Sequence, residues 1–168
     1  MSTTSQLTAF QRLHEQFERH GIEYWLFGGW AVDFHAGSVT RPHDDLDLAL
    51  WLDDYPRVEQ LLVDDGWSHM PEPGADGYTT FTLDDVQLEI AFLARDENDT
   101  VYTPLRQGRG TWPPDAFKGD RAVLRGVTAR VIALPALMAD KSEGHDDPTT
   151  TAKDSADLLT LAALTPPP

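Results

Sequence analysis

Two aspartates, Asp45 and Asp47, stand one residue apart at the mouth of an apolar run in RPHDDLDLAL (41–50). In an extended strand both carboxylates project from one face, about 7 Å apart. Leu46, Leu48 and Leu50 take the other face and are free to enter a core. Two like charges at that spacing repel unless a cation sits between them. Hard divalent ions such as Mg²⁺ take oxygen ligands, often one or two carboxylates together with substrate phosphates. Asp44 has the opposite parity and reads as a cap or surface residue. A further carboxylate interrupts VQLEIAFL (86–93), where Val86, Leu88, Ile90 and Phe92 share one face and Gln87, Glu89 and Ala91 the other. A glutamate in such a strand is costly if buried without a partner. An acidic turn on an acidic chain accounts for Asp-x-Asp taken alone, so the weight falls on its neighbours.

The nearest neighbour is FGGWAVDF (27–34). A diglycine between a strand and a helix lets the backbone approach a ligand, and the helix N-terminus offers free N–H groups to phosphate. Arg41 and His43 flank the aspartates. Arg41 suits a phosphate, or a pair with Asp44 or Asp45; His43 suits orienting a metal-binding carboxylate from behind. Near the C-terminus, Lys141 precedes a loop and Lys153 opens KDSAD. Each lysine is a point-charge partner for a triphosphate, and Lys153 alternatively pairs along its helix with Asp157. The other histidines show no metal-ligand spacing.

Hydrophobic periodicity supplies the elements that must position these groups. Leu7, Phe10, Leu13 and Phe17 precede Gly21 at helical spacing and predict a helix over 5–20. IEYWLF (22–27) reads as a buried strand ended by the diglycine, WAVDFHA (30–36) as a short helix, and LDLALWL (46–52) as a second strand. Residues 54–66 read as a helix with Asp54 as N-cap, Pro56 in the first turn and Gly66 as the stop. Residues 67–93 carry strands, with a loop at 72–77 and a hairpin turning at Asp84–Asp85. Residues 94–121 read as irregular, and 122–134 as two strands around Gly126. A helix follows over 135–143, then SEGHDDPTTT as a loop, a last helix over 152–164 and a tail at 165–168. This order predicts an α+β fold, a mixed β-sheet flanked by helices. Residues 1–134 form the core and 135–168 a helical extension packed on it as a single compact unit.

The 168 residues suit one domain with a real core. The absence of cysteine rules out disulfides, thiolate metal sites and a cysteine nucleophile. No apolar run reaches membrane-spanning length, and the N-terminus lacks the features of a signal peptide, so the expectation is a cytoplasmic protein. The formal net charge of −15 argues against nucleic acid as a partner and suits a cationic substrate, or simply solubility. From Asp44 to Asp99 there are sixteen acidic residues against Arg57 and Arg95. From Arg106 to Arg130 there are six basic residues against Asp115 and Asp120. That imbalance reads as two solvated faces of opposite sign.

The ordered string GGWAVDFHAGSVTRPHDDLDLAL resembles the nucleotidyltransferase superfamily that includes DNA polymerase β. It looks specifically like the branch that adenylylates aminoglycosides at the 2″-hydroxyl, and lincosamides. The matching residues are Gly28, Gly29, Trp30, Ala31, Asp33, Gly37, Thr40, Arg41, His43, Asp45 and Asp47. The motif covers roughly 24–52, and a similar element order runs to the end. The resemblance implies Mg²⁺-dependent transfer of a nucleoside monophosphate, AMP from ATP or from another nucleoside triphosphate, to a hydroxyl of a small cationic or hydroxylated acceptor. Asp45 and Asp47 would hold two Mg²⁺ ions. Glu89 would be the third carboxylate, either completing the metal site or acting as general base. In the aminoglycoside enzymes an aspartate fills the base role. Gly28 and Gly29, with Arg41, His43, Lys141 and Lys153, would serve the nucleotide; a lysine and a KD-x-x-D arrangement like that at 153–157 recur in the superfamily's short members. Two alternatives stay open: a toxin-like enzyme acting on tRNA or protein, and a nucleotide-binding or antitoxin-like module without catalysis. The assembly expected is a monomer or homodimer.

Overall fold

The apolar stripe of the first helix settles which face of the sheet is covered. In the computed structural model, which describes residues 2–165, α1 (Thr3–His20) buries Leu7, Phe10, Leu13 and Phe17. The Ser2 hydroxyl accepts the Ser5 N–H at its start (3.0 Å), and Gly21 ends it at φ +66°. Residues 166–168 of the expected tail lie outside the described residues. The strand β1 (Tyr24–Phe27) follows, and its Tyr24 ring lies against Phe10 and Phe17 at 6.0 and 5.6 Å. Next come α2 (Gly28–Ala36), β2 (Leu46–Trp51) and α3 (Tyr55–Asp64). Pro56 sits in the first turn of α3 as expected, but Asp54 makes no capping bond; its carboxylate lies 3.7 Å from Arg57 instead.

The strands β3 (Ser68–His69), β4 (Tyr78–Leu83) and β5 (Val86–Arg95) complete the sheet order β1-β2-β5-β4-β3. The pairing of β2 with β5 is parallel and the others in this series are antiparallel. The register places Leu46, Leu48 and Leu50 beside Leu88, Ile90 and Phe92, and Tyr24 and Leu26 beside Leu50 and Leu48. These residues therefore share the face under α1. Asp47 pairs with Glu89 on the opposite face.

The segment expected to be irregular, 94–121, contains two short strands, β6 (Val101–Pro104) and β7 (Arg109–Thr111), which extend the sheet from the end of β5. Strands of three and four residues are too short for alternation to show. The Trp112 indole N–H donates to Thr103 Oγ1 (2.9 Å). Edge-to-face rings then run from Phe27 to Trp112 (5.4 Å), Phe117 (5.2 Å) and Trp25 (4.9 Å), pinning 112–117 to β1.

The hairpin of β8 (Arg121–Leu124) and β9 (Val127–Arg130) turns on Arg125 and Gly126, both at positive φ. After it, Val131 bridges to Leu26, and α4 (Leu134–Ser142) and α5 (Pro148–Leu164) pack on each other and on α2. The last helix starts one turn before the expected 152. Asp147 caps it, accepting from Thr150 N and Oγ1 (both 2.7 Å). Three consecutive threonines, weak helix formers, hide that start.

The basic stretch is largely solvent-exposed, as its sequence suggests, but four of its six cations are paired with acids. Arg121 and Arg130 meet Glu18 (3.0 and 3.4 Å), Arg109 meets Asp96 (2.7 Å) and Lys118 meets Asp115 (2.6 Å). Among the described residues no helix is long and apolar enough to cross a membrane.

Candidate functional site

Parallel pairing brings a local pattern and a distant residue together. Asp45 lies just before β2, Asp47 lies on it, and Glu89 is the cross-strand partner of Asp47 on β5. One carboxylate oxygen from each of the three lies within 4.8 Å of the other two. Among the described residues, none of the three accepts a hydrogen bond or has a cation within 4.0 Å, and the more distant charges of Lys153 and Arg41 on Asp45 and of Lys141 on Asp47 are outweighed. The charges therefore act on one another. Burial, then Asp45 and Glu89, pushes the Asp47 carboxyl well above the usual carboxylate range. Burial and the Asp44 charge raise Asp45. Burial, with Asp45 and Glu72 beside it, raises Glu89 to about 7. An all-oxygen, anionic donor set with no cation of its own fits a hard divalent ion.

The floor of the cleft is the diglycine. The helix α2 begins at Gly28 itself rather than after the pair, so the first free N–H groups of the helix lie beside the acids. Gly28 has φ +68°, and a Cβ there would sit 2.9 Å from Asp47 Cγ. A Cβ on Gly29 would sit 2.5 Å from His43 Nδ1 and 2.6 Å from Arg41 Nη2. Both positions are thus closed to larger residues by the chain's own side chains, before any ligand is considered.

The opposite wall is helical. Arg41 does not pair with Asp44 or Asp45; its Nε and Nη2 donate to the two oxygens of Asp157, each at 2.9 Å. Lys141 Nζ lies 3.0 Å from Asp154 and 3.1 Å from Asp157, and His145 Nδ1 lies 2.8 Å from Asp154. Burial opposes ionisation of Asp157, yet the hydrogen bond from Arg41 and the charge of Lys141 hold its carboxyl below the ordinary range. Lys153 does not pair with Asp157 along its helix. It pairs with Asp44, which lies on the surface as expected and is tied there to α5. His43 does not touch the acidic cluster. Its Nε2–H donates to Asp33 Oδ2 (2.6 Å), and its ring lies against Trp30 (4.6 Å).

All nine residues singled out from the sequence (Gly28, Gly29, Arg41, His43, Asp45, Asp47, Glu89, Lys141 and Lys153) line one cleft of about 440 Å³. Sequence reasoning named Asp33, Asp154 and Asp157 but did not assign them the partners they hold here. Asp154 and Asp157 are buried on α5. Asp33 is fully buried and also accepts from Thr40 N (3.0 Å) and Oγ1 (2.5 Å). A charged residue inside the otherwise apolar WAVDF was the available signal for Asp33. Asp140, pushed up by burial, lines the cleft as well. A second cavity of about 420 Å³, walled by Trp25, Trp112 and Phe117, holds none of these groups.

A mixed sheet with five flanking helices among the described residues gives the chain the nucleotidyltransferase fold of its structural neighbours. Similar solved structures include the lincosamide antibiotic adenylyltransferase LnuA, lincomycin-bound (TM-score 0.73, 22% identity, 92% of this chain and 94% of that one). The antibiotic-resistance factor ANT(2'')-Ia in complex with adenylyl-2''-tobramycin is another (TM-score 0.68, 20% identity, 95% and 97%). A model of the aminoglycoside-2''-adenylyltransferase family matches residues 9–159, and the chain belongs to that family. Among curated relatives, a 2''-aminoglycoside nucleotidyltransferase of Escherichia coli is 40% identical over 45 residues, 27% of this chain and 25% of the relative. A lincosamide resistance protein of Staphylococcus haemolyticus is 39% identical over 51 residues, 30% of this chain and 32% of the relative. The matched stretch thus spans a quarter to a third of those relatives' length.

Proposed function

We propose that this protein is a divalent-metal-dependent nucleotidyltransferase. It would move AMP from ATP onto a hydroxyl of a small cationic acceptor of the aminoglycoside or lincosamide kind. The observation that carries this reading is the set of three carboxylate oxygens within 4.8 Å, without a cation of their own, beside the first turn of α2. Asp45 and Asp47, with Glu89, would hold two Mg²⁺ ions, which supply charge neutralisation at the reacting phosphate. The N–H groups of the Gly28–Gly29 turn receive the β- and γ-phosphate oxygens. Lys153 meets the triphosphate as a point charge. Arg41, His43 and Lys141, fixed by buried carboxylates, hold the shape of that wall. The acceptor oxygen bonds to the α-phosphorus, the bond to the bridging oxygen breaks, and pyrophosphate leaves. Where Glu89 does not complete that metal shell, it would instead take the acceptor's proton, a role that suits a carboxyl raised by burial to about 7 in the metal-free protein.

Glu72 adds a further negative charge near Glu89. It accepts from Tyr78 Oη (3.0 Å) and Thr80 Oγ1 (2.8 Å). That added charge favours ammonium groups, so affinity for a polyamine acceptor should fall as salt rises. In this reading 1–134 is the catalytic core, 135–168 its helical wall, and the setting is the cytoplasm, where nucleoside triphosphates are available.

The test is a screen of tobramycin, lincomycin and related drugs against each of the four ribonucleotides with Mg²⁺, scored by product mass. A product heavier by one nucleoside monophosphate residue, lost in Asp47→Asn while that variant still melts in a single cooperative transition, is the expected outcome. Absence of both adduct and pyrophosphate across the panel would overturn the reading.

A further inference from the structure

We infer that Asp44 is the resting counterion of Lys153, and that the competition between Asp44 and phosphate for this one lysine sets the protein's affinity for the triphosphate. The inference rests on the nucleotide-transfer reading above and adds to it a positioning residue outside the acidic cluster.

Three arginine and lysine side chains line the cleft, Arg41, Lys141 and Lys153, and each is already paired. The pairs are not equivalent. Arg41 and Lys141 face Asp157 and Asp154, whose side chains are 1% and 9% exposed. Drawing either cation toward a ligand takes from a buried carboxylate one of its two partners, which is unfavourable where water cannot replace it. Lys153 and Asp44 are 38% and 73% exposed. Parting them costs little, because both groups return to water. Of the three cations, Lys153 is therefore the one able to follow an incoming anion, and Asp44 is what the anion must displace.

The pair also has a position that matters. Asp44 directly precedes Asp45, and Lys153 lies on α5, two turns from the N-cap Asp147. The contact joins the loop leading into the acidic strand to the helical wall across the cleft. A phosphate that takes Lys153 replaces this protein–protein contact with a protein–ligand one, and leaves Asp44 in solvent.

The experiment measures binding of a non-hydrolysable ATP analogue with Mg²⁺ by calorimetry, so no turnover is needed. The wild-type chain is compared with Asp44→Asn, Asp44→Glu, Lys153→Met and the double variant, each checked by thermal melting. Lys153→Met is expected to weaken binding several-fold. Asp44→Asn is expected to tighten it about two- to fivefold, the range an exposed pair allows, and Asp44→Glu, which keeps the counterion, to restore the wild-type constant. In the Lys153→Met background Asp44→Asn should change nothing. Equal tightening in both backgrounds would show a long-range charge effect and overturn the proposal, as would no tightening at all. If Lys153→Met leaves binding unchanged, the proposal falls along with the role of Lys153, while nucleotide binding stands. A wild-type chain that binds no nucleotide sinks the nucleotide-transfer reading itself.

Discussion

On the sheet side of the cleft Asp45, Asp47 and Glu89 crowd three carboxylates within 4.8 Å with no cation among them, whereas on the helical side Arg41, Lys141 and Lys153 each face a carboxylate. Charge on the sheet wall works against folding, and its carboxyl groups bind protons too readily. Charge on the helical wall works for folding, and Asp157 binds protons less readily than a free carboxylate. The contrast separates two uses of the same residue type. A cluster that the protein leaves electrically incomplete is built for something added. A cluster that is complete holds the walls in place.

The largest effect that would break this contrast lies at Asp47. Asp47→Asn should lower turnover on the order of a thousandfold or more, since metal-held charge stabilisation is worth several kcal/mol. The same change should raise the melting temperature of chelator-treated protein by relieving like-charge repulsion. A loss of both activity and stability would show that Asp47 belongs with the structural acids. On the helical wall, Asp157→Ala strands Arg41, leaves Lys141 with Asp154 alone, and should cost about 3–5 kcal/mol, roughly 10 °C in melting temperature at this chain length. An unchanged melting temperature would remove the structural claim for that wall.

Titration sharpens the comparison because the two walls carry opposite signs. The Glu89 pKa rises from 4.5 to about 7 on folding, so the folded state prefers its protonated form. Below pH 4.5 this group costs the fold nothing, and the fold loses stability as pH climbs through 7. Asp157 has a depressed folded pKa; its contribution is present above the unfolded value and is lost as pH falls through the folded one. Metal-free protein should therefore lose stability from pH 5 to 8, and Glu89→Gln should flatten that slope in thermal melts.

Smaller effects follow. Gly28→Ala places a side chain at φ +68° against Asp47 and should cost about 1–3 kcal/mol in denaturant unfolding. Asp44→Asn breaks an exposed pair and should shift stability by less than about 1 kcal/mol. A larger loss there would mean that the Lys153 contact is structural after all.

The acidic cluster was legible because strand alternation is a local rule: it puts Asp45 and Asp47 on one face and Glu89 on the matching face of another strand. What alternation does not give is register, and the parallel pairing that sets Glu89 beside Asp47 is a tertiary fact. The helical wall was read only by half. Lys141 and Lys153 stood out as cations, but a carboxylate on a helix looks solvated until its partner is known. Asp157 meets Arg41 from 116 residues away. His43 looked like support for the metal site because it stands near it in sequence, yet its partner is Asp33 on α2. The strands β6 and β7 were too short to show a period, and the start of α5 lay behind a threonine run.

The most direct test of the incomplete sheet wall is a Mg²⁺ titration of chelator-treated protein at pH 8, followed by thermal melting. The melting temperature of the wild-type chain should rise saturably by about 5–10 °C at a hundredfold excess over the dissociation constant, and Asp47→Asn should show no such rise. A wild-type melting curve indifferent to Mg²⁺, or an equal rise in Asp47→Asn, would contradict the account.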